Sequence, residues 1–461
     1  MRNGKMTYSK SKTCVFLYFT QIIVTILLVR TGIRLTIKQM AIMAIVYCAL
    51  NLLLFKYGLD IDFISLPNLF CTLVLLFNCG QLIMCGFGID GSIPLPFQQY
   101  GNCIVVQNSF FFFLLGQLFY SLAISIANTN TKCMYSMVSG TRGSENTIAI
   151  FKSFILLGLI PRIYIDGRSL ITCMHKGYAG VYNLYFPQYF QTLAFFFDVG
   201  LILALFYLEG EHRKKRMLFL FVLTYKCLMM LSGSRQDKVA FLLMWIYLYF
   251  FILSNKNAVK VLLLIVSGIL GLALLSVITY TRAGGLISLS GIISYLRYNL
   301  MGHILGNVLG EFGATFDTLE IAMNFVPEVV PYGLGKSYLC GLLSIIPLLV
   351  AHVPFLSDYS VFLQLIPSRV TYAMGGSFLG ELYFNFSWIG VLGCAVIGFI
   401  IYRAQFRILD KNSSLVQKTW NTIVLIELIL FIRGYFTDIV QKLAWTYILL
   451  KFCEWYSKKK N

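Results

Sequence analysis

Long apolar runs recur along nearly the whole chain, separated by short segments that carry the charges and the Pro, Gly and Asn clusters. A helix needs about 20 consecutive apolar residues to cross the hydrocarbon core of a bilayer. The composition agrees, because 58% of the residues are hydrophobic and only 12% are charged, whereas soluble domains have roughly 45–50% apolar and about 25% charged residues. The sequence therefore excludes a water-soluble fold and predicts an all-α, polytopic membrane protein with about twelve transmembrane helices. The predicted spans are residues 13–29, 39–55, 66–88, 103–127, 147–165, 187–208, 217–232, 239–254, 259–281, 376–402, 415–432 and 436–453.

The distribution of basic residues predicts the orientation of these helices. The net charge of +18 would favour nucleic acid as a partner of a soluble protein, but in a membrane protein it reports mainly which loops face the cytoplasm. With a cytoplasmic N-terminus, the basic runs at 213–216 and 458–460 both fall inside. Arg30, Arg34 and Lys38 disagree, since they fall outside. We predict two cytoplasmic termini, a lipid bilayer as the surroundings and no nucleic-acid partner.

Two outer segments are longer than simple connections, residues 166–186 and residues 282–375. The second contains apolar pieces of its own, notably 338–356, which is interrupted by Pro347 and Pro354. Such an interrupted piece is typical of a re-entrant or surface-lying segment rather than a span. We predict a single integral membrane domain over residues 1–461, with 282–375 folded as an extracytoplasmic cap.

Several motifs look like metal or nucleotide sites, but their neighbouring residues or their predicted side of the membrane argue against that function. Twelve cysteines are present without a CxxC pair, and most lie inside apolar runs, where a thiol is a small hydrophobic group. Asp60 and Asp62 have a metal-binding DxD spacing, but they fall on the cytoplasmic side beside Lys56. GLGKSY around Lys336 lacks the first glycine of a phosphate-binding loop, because Val330 stands there. We predict no metal site and no cofactor.

The outer segments are rich in cations, although the positive-inside bias predicts depletion there. A guanidinium binds phosphate through two hydrogen bonds and stays charged near lipid, which suits a lipid-linked diphosphate at the membrane surface. Arg235 lies in the short turn SGSRQDK and Arg433 in the turn FIRGYFTD, where Asp438 is a candidate orienting partner. The alternative is that each arginine lies at a helix end with its charge in the headgroup region. These cations are Arg162, Arg168, Arg235, Arg282, Arg297, Arg369, Arg433, Lys176, Lys238, Lys336 and Lys442.

The long outer segment also carries groups that can accept a proton. Glu311, Asp317 and Glu320 follow one another in GEFGATFDTLE, and His303 precedes them. Any of them could act as a general base for an acceptor hydroxyl. The alternative is that such acids are solvated or pair with nearby arginines.

Two further carboxylates, Asp198 and Glu427, fall inside predicted spans, where burying a charge is costly. They could form a proton or ion path, or each could pair with a neighbouring helix.

The order of several motifs resembles the O-antigen and capsule repeat-unit polymerases, the Wzy-like integral membrane glycosyltransferases. These motifs are GYAGVY in an outer loop, SGSR between two middle helices, EFGATFDTL and GLGKSYLCGLLSIIP in the long outer segment, GGSFLGELYFNF at the start of a helix, and Arg433-Gly434 before the last one. The resemblance covers roughly residues 160–440. One departure is Ser387, which follows Phe386 at a position where the family pattern predicts glycine.

The resemblance implies a polymerase on the outer face of a bacterial cytoplasmic (inner) membrane. It would transfer a growing glycan from one polyprenyl diphosphate to a sugar hydroxyl of a lipid-linked oligosaccharide repeat unit. The family is thought to belong to the GT-C class of helical glycosyltransferases and to use no nucleotide sugar. A chain-length regulator protein is a further implied partner.

Candidate roles follow from this chemistry. A diphosphate is already a good leaving group, so the site needs cations for the developing charge more than it needs an acid. Glu311 is the leading general base, followed by His303, and Glu381 could orient an arginine or stabilise a helix start. Tyr178 could stack on a sugar ring or anchor at the interface. The cations predicted to bind the diphosphate are Arg235, Arg433, Arg282 and Arg168, then Lys336 and Arg369.

Three other functions stay open. An O-antigen-type ligase, which moves finished polymer to another acceptor, would share the fold and the outer arginines. A flippase or exporter of lipid-linked oligosaccharides should have short loops and arginines in a central cavity, and the segment 282–375 argues against it. An ion-coupled transporter would rest on Asp198 and Glu427 alone.

Overall fold

A computed structural model describes most of the chain, and each regular element formed by the described residues is helical. The described residues are 2–90, 102–131, 145–232, 236–253, 304–346, 375–410 and 412–459, with single positions at 293, 294, 297, 349, 352 and 353. The helices are α1 (Arg2–Thr31), α2 (Ile37–Leu53), α3 (Leu66–Phe87), α4 (Cys103–Thr131), α5 (Glu145–Tyr182), α6 (Gln188–Tyr207), α7 (His212–Met230), α8 (Gln236–Tyr247), α9 (Ile304–Gly313), α10 (Thr315–Phe325), α11 (Lys336–Leu343), α12 (Phe378–Phe386), α13 (Leu392–Leu409), α14 (Leu415–Phe431) and α15 (Phe436–Lys459). The predicted all-α class is confirmed for these residues.

Within the described part of the chain, 6 helices are long and apolar enough to cross a membrane. They are Lys10–Thr31, Ile37–Gly58, Leu66–Phe87, Cys103–Thr129, Tyr189–Tyr207 and Phe378–Leu409, and each coincides with a predicted span. The other predicted spans coincide with α5, α7, α8, α14 and α15, which are shorter or more highly charged, except that 259–281 lies outside the described residues. A polytopic helical protein is therefore confirmed, and the number of spans stays a prediction.

Most of the segment predicted as the outer loop 166–186 is helical, because α5 continues to Tyr182, and its place outside the membrane stays a prediction. Arg162 and Asp166 are four residues apart and so share one face of the helix, where Arg162 Nε lies 2.7 Å from an Asp166 carboxylate oxygen. This pair balances both charges, so a segment that reads as polar can stay helical. Gly177, with φ 67° and ψ −173°, makes a kink near the end of the helix.

The chain divides into two compact units. Unit 1 comprises Met1–Met137, Leu305–Phe406 and Phe431–Val440. Unit 2 comprises Val138–Ile304, Arg407–Leu430 and Gln441–Asn461. The single membrane domain predicted over residues 1–461 stays a prediction.

In unit 1, a chain of hydrogen bonds between buried polar side chains links α1, α2, α3 and α4. The Tyr18 hydroxyl donates to Asn51 Oδ1 over 2.6 Å. Asn51 Nδ2 donates to Cys71 Sγ over 3.2 Å, and Cys71 Sγ donates to Gln117 Oε1 over 3.2 Å. In lipid an unsatisfied polar group costs several kcal/mol, so such cross-helix bonds hold the four helices in register.

The segment 282–375, predicted to lie on the outer face, contributes α9, α10 and α11 to unit 1. A Cβ added to Gly313, at the end of α9, would lie 2.3 Å from Gln81 N of α3, so only glycine permits this close approach. The apolar piece at 338–356 begins inside α11, which ends at Leu343. That helix has 8 residues, too few to span a bilayer.

In unit 2, α5 and α6 pack closely through glycines on each helix. A Cβ on Gly158 would lie 2.2 Å from Phe197 N, and a Cβ on Gly200 would lie 2.6 Å from Ile155 Cγ1. Small residues let two helix backbones approach where dispersion, rather than the hydrophobic effect, drives association. This contact brings Arg162 of α5 and Asp198 of α6 together, as described below.

Candidate active site

Arg433 lies in the turn between α14 and α15, as the sequence predicts, and it is partly exposed. Its Nη1 donates a hydrogen bond to the Glu311 carbonyl oxygen at 3.4 Å, near the end of α9. The structure therefore brings together two of the predicted catalytic residues, although they are far apart in the sequence.

Glycines shape the surface on which Arg433 lies. A Cβ added to Gly375 would lie 2.7 Å from Arg433 Nε, so the arginine side chain occupies the space that any other residue would fill. Next to it, a Cβ on Gly376 would lie 2.8 Å from the Gly434 backbone. The Thr318 hydroxyl of α10 donates to the Gly375 carbonyl oxygen at 2.7 Å. The glycines of the GGSF and Arg-Gly motifs thus let the backbones at Gly376 and Gly434 pack against each other, and the Arg433 side chain lies against Gly375.

Glu381 of α12 is buried and holds two helix starts in place. One carboxylate oxygen accepts a hydrogen bond from the Ser337 hydroxyl at 2.7 Å, and the other accepts from the Phe436 backbone N–H at 2.8 Å. Ser337 lies in the first turn of α11 and Phe436 is the first residue of α15, where a carboxylate is favoured by the helix dipole. The alternative role, a carboxylate at a helix start, therefore describes Glu381, which orients the backbone that follows Arg433. A direct contact of Glu381 with substrate stays a prediction.

Asp438, the candidate partner of Arg433, also supports this helix start. Its Oδ2 accepts a hydrogen bond from the Tyr435 N–H at 2.8 Å, which is a capping contact at the first turn of α15. The turn that carries Arg433 is thus held from two sides by carboxylates.

The GLGKSY segment is held by Asn385 of α12. Gly335, with φ +83°, donates its N–H to Asn385 Oδ1 at 3.0 Å, and Asn385 Nδ2 donates to the Ser337 hydroxyl at 2.8 Å. Lys336 begins α11 and is exposed. The segment therefore packs against α12 through its backbone and leaves the lysine at the surface of unit 1.

Asp317 of α10 is fully buried, and neither of its carboxylate oxygens has a hydrogen-bond partner among the described residues. Burial raises the pKa of this carboxyl to about 7, although the Gln81 side chain and the positive charge of Arg433 oppose the shift. Glu320, one turn further on, is equally buried. Of the alternatives for these two acids, solvation is excluded, because both are buried inside unit 1, and pairing with a nearby arginine stays open.

Several predicted site residues cannot be placed on this surface. Arg168 lies in unit 2, where it is exposed and donates to the Tyr164 hydroxyl at 2.8 Å while stacking over the Phe186 ring at 5.9 Å. Tyr178 is in α5, and its side chain is outside what the structure describes. The predicted residues that lie outside the described ranges are Arg235, Arg282, His303 and Arg369.

A largely buried ionic network that was not predicted from the sequence occupies unit 2. Asp198 of α6 lies 2.6 Å from Lys226 Nζ of α7 and 3.6 Å from Arg162 Nη1 of α5. Of the two alternatives for Asp198, pairing with neighbouring helices is therefore the one observed. Opposite charges isolated in neighbouring spans were the signal that could have found it.

The network continues to the start of α8. Arg162 Nη2 lies 3.8 Å from an Asp237 oxygen, and Lys238 Nζ lies 3.4 Å from the other. The Tyr225 hydroxyl donates to Asp166, which also pairs with Arg162. The start of α8 is tied to α5 by these charges, whereas the turn residue Arg235 itself lies outside the described residues.

Comparison with known families gives one clear result. The family described as O-antigen polysaccharide polymerase Wzy matches residues 13–459, nearly the whole chain. Comparison with curated proteins and with solved structures returned no significant match. Because the match extends over all the motif segments and both units, the chain belongs to the O-antigen polysaccharide polymerase Wzy family.

Proposed function

We propose that this protein joins lipid-linked oligosaccharide repeat units into a polymer on the outer face of the cytoplasmic membrane. The observation that carries the proposal is the meeting of four motif segments in unit 1. The Arg433 turn contacts the segment containing Glu311 and packs against the Gly375-Gly376 pair, which Thr318 also contacts. Glu381 then links this turn to the start of α11.

In the proposed reaction, an acceptor sugar hydroxyl attacks the anomeric carbon of a glycan carried on polyprenyl diphosphate. The bond between that carbon and the diphosphate oxygen breaks, and the leaving diphosphate keeps the electron pair. Arg433 holds the developing negative charge, and Glu311 takes the proton of the attacking hydroxyl. Lys336 at the start of α11 is a further candidate for the diphosphate.

The location and the wider fold are part of the proposal. A substrate that is flipped before use requires an outer-face site, which suits the outer placement of both 282–375 and the Arg433 turn under the positive-inside bias. We infer a GT-C-like arrangement in the inner membrane of a bacterium, with 282–375 as a cap and both termini in the cytoplasm. A chain-length regulator protein is the proposed protein partner.

Deleting the gene and sizing the surface glycan and its lipid-linked intermediates tests this function. Surface glycan reduced to single repeat units supports a polymerase. Units trapped inside the cell would instead indicate a flippase, and long polymer left on the lipid carrier would indicate a ligase.

Complementing the deletion with variants tests the site. Arg433→Ala is expected to lower polymer formation by about 10²–10³-fold, the usual effect of removing a group that stabilises a developing oxyanion. Arg403→Ala is the matched control, since Arg403 is an exposed arginine of unit 1 that stacks over Phe399. Full polymer formation by Arg433→Ala at normal protein level would show that Arg433 does not hold the diphosphate.

A further inference from the structure

Three hydrogen-bond acceptors without a donor lie buried behind Arg433. They are the two carboxylate oxygens of Asp317 and the amide oxygen of Gln81, and none has a partner among the described residues. The Gln81 amide nitrogen donates instead to the Gly310 carbonyl oxygen at 3.2 Å. A buried polar group without a hydrogen bond costs several kcal/mol, and a buried charge costs more.

The surrounding helices leave little room to relieve this arrangement by movement. Gly313 of α9 lies directly against the backbone of Gln81 in α3. On the other side, Thr318 ties α10 to the Gly375 carbonyl oxygen at 2.7 Å. Asp317 is therefore fixed between α3 and the strip of backbone on which Arg433 lies.

One bound proton relieves the shortage of donors. A protonated Asp317 is neutral, and its O–H group is a donor among acceptors that have none. We propose that Asp317 is a positioning residue of the candidate active site. Asp317 holds a proton while Arg433 binds the substrate diphosphate. Once Asp317 is ionised, its negative charge draws Arg433 away from the diphosphate. This inference rests on the proposed function of Arg433.

Few charged or titratable groups surround Asp317 in the part of the chain that the structure describes. The Arg433 turn contributes its guanidinium, and α3 contributes the neutral Gln81 side chain and the Cys85 thiol. Glu311 of α9 meets Arg433 through its backbone, and α4 carries no charged residue. The other acids nearby are Glu320 on α10 and Glu381 on α12, and the latter is bonded to Ser337 and Phe436.

Substrate binding and proton binding are then linked. A diphosphate beside Arg433 adds negative charge near Asp317, so it favours the protonated carboxyl. Conversely, an ionised Asp317 competes with the diphosphate for the same guanidinium. Because the pKa of Asp317 is raised by burial to about 7, this competition begins near neutral pH.

Binding of farnesyl diphosphate to the detergent-purified full-length protein tests the linkage. The dissociation constant is measured from about pH 5.5 to 8.5 for the wild type and for Asp317→Asn, whose amide cannot ionise. The ratio of the two constants is expected to be near one at low pH and to reach about tenfold weaker binding by the wild type at pH 8. The ionisation of the ligand itself is common to both proteins and cancels in the ratio. Glu328→Gln, which removes an exposed carboxylate of the same segment, should keep the wild-type pH dependence.

The outcomes separate this inference from the proposed function. A ratio that does not change with pH overturns the role of Asp317, even if Arg433→Ala abolishes binding. No binding by the wild type at any pH, or binding that survives Arg433→Ala, overturns the assignment of Arg433 and this inference with it.

Infrared spectroscopy provides a second measurement that does not depend on the ligand. The wild type at pH 6 should show a carboxyl C=O stretching band that is missing in Asp317→Asn and that disappears as the pH is raised through neutrality. Absence of such a difference band at pH 6 would show that Asp317 is ionised in the resting protein, contrary to the proposal.

Discussion

In unit 2, Asp198 lies between two cations, 2.6 Å from Lys226 and 3.6 Å from Arg162. In unit 1, by contrast, the buried Asp317 has no hydrogen-bond donor for either carboxylate oxygen among the described residues. The first carboxylate is balanced by fixed charges on neighbouring helices. The Asp317 carboxylate is neutralised by a proton instead. The positive charge of Arg433 lowers the pKa of Asp317, but burial raises it by more. Charge balance in unit 2 is built into the fold, while in unit 1 it depends on pH and on what Arg433 binds.

The two arginines differ in the same way. Arg162 is 7% exposed and pairs with the carboxylates of three helices, so its charge stabilises the packing of α5, α6 and α8. Arg433 is partly exposed and lies over a glycine, in a turn held by Glu381 and Asp438. A cation on a predicted outer segment is therefore not by itself a ligand for phosphate, and burial among carboxylates separates the structural arginine from the candidate catalytic one.

Removing Arg162 should have the largest effect on folding. Arg162→Met leaves three carboxylates, of which Asp166 and Asp198 are buried, with one cation fewer, and breaking a buried pair in this way typically costs about 3–5 kcal/mol. We expect little folded protein in detergent extracts, measured by size-exclusion chromatography and thermal unfolding. Arg168→Met, an exposed arginine of the same helix, should change stability by no more than about 0.5 kcal/mol. Equal stability of the two variants would mean that the unit 2 network is not structural.

Asp317→Asn should change how stability depends on pH. The folded state holds this proton up to about pH 7, whereas an unfolded aspartate loses it near pH 3.9. Between about pH 4 and 7 the folded state therefore binds more protons, and stability falls as the pH rises through this window, by at most about 4 kcal/mol. The asparagine variant lacks this fall, so it should match the wild type near pH 4 and melt at a higher temperature at pH 8. If the melting temperatures of the wild type and Asp317→Asn instead changed in parallel at all pH values, Asp317 would be ionised and charge-balanced in the folded state, like Asp198 of unit 2.

The long apolar helices of the protein could be predicted from the sequence, because a membrane span must be apolar along its whole length. Helices α3 and α4 begin where the sequence predicts them. The continuation of α5 past Asp166 could not be predicted from composition, since a pair of charges reads as a loop until their four-residue spacing is recognised. The pair of Lys226 and Asp198 was signalled by opposite charges in neighbouring spans, but the sequence does not show which faces of the two helices meet, so the contact itself could not be assigned.

The candidate site was predicted in part. Arg433 and Glu311 were predicted from their residue types and outer placement, and they prove to be in contact. Gln81 was not predicted, because it lies 229 residues from its partner Gly310 and reads as an ordinary polar residue within a span. The sequence marks Gly375 only as part of a motif, and its role depends on the space beside it, which the Arg433 side chain fills.

Gly375→Ala should show whether activity depends on where the Arg433 guanidinium lies, because this variant keeps the arginine but displaces its side chain. The new methyl group would lie 2.7 Å from Arg433 Nε, and the arginine side chain can move aside at little cost to the fold. We expect polymerisation to fall by about tenfold, or about 1.4 kcal/mol of transition-state stabilisation, with an unchanged melting temperature. Gly376→Ala is the matched control, because its methyl group would meet the Gly434 backbone at 2.8 Å and should destabilise the protein instead. Wild-type activity in Gly375→Ala would show that the guanidinium need not lie where the structure has it.

The smallest effect concerns Ser387, at the end of the helix that holds the Arg433 turn. Its φ of 53° and ψ of −146° are adopted easily only by glycine, the residue that the family resemblance predicts at this position. Ser387→Gly removes strain of about 1–2 kcal/mol but also loses the hydrogen bond from the Tyr332 hydroxyl, which is 3.1 Å long and is worth about 0.5–1.5 kcal/mol.

The net gain of Ser387→Gly should be about 0.5–1 kcal/mol, seen as a slightly higher melting temperature. Ser387→Ala keeps the strained backbone and loses the same hydrogen bond, so it should melt below the wild type. If backbone strain dominates, the melting temperature should fall in the order glycine, serine, alanine. If only the hydrogen bond to the serine hydroxyl mattered, both variants would melt below the wild type. Neither substitution changes a charge, so neither should alter the pH dependence attributed to Asp317. A shift in that dependence would mean that α12 transmits strain to the proton-binding carboxyl as well as holding the turn.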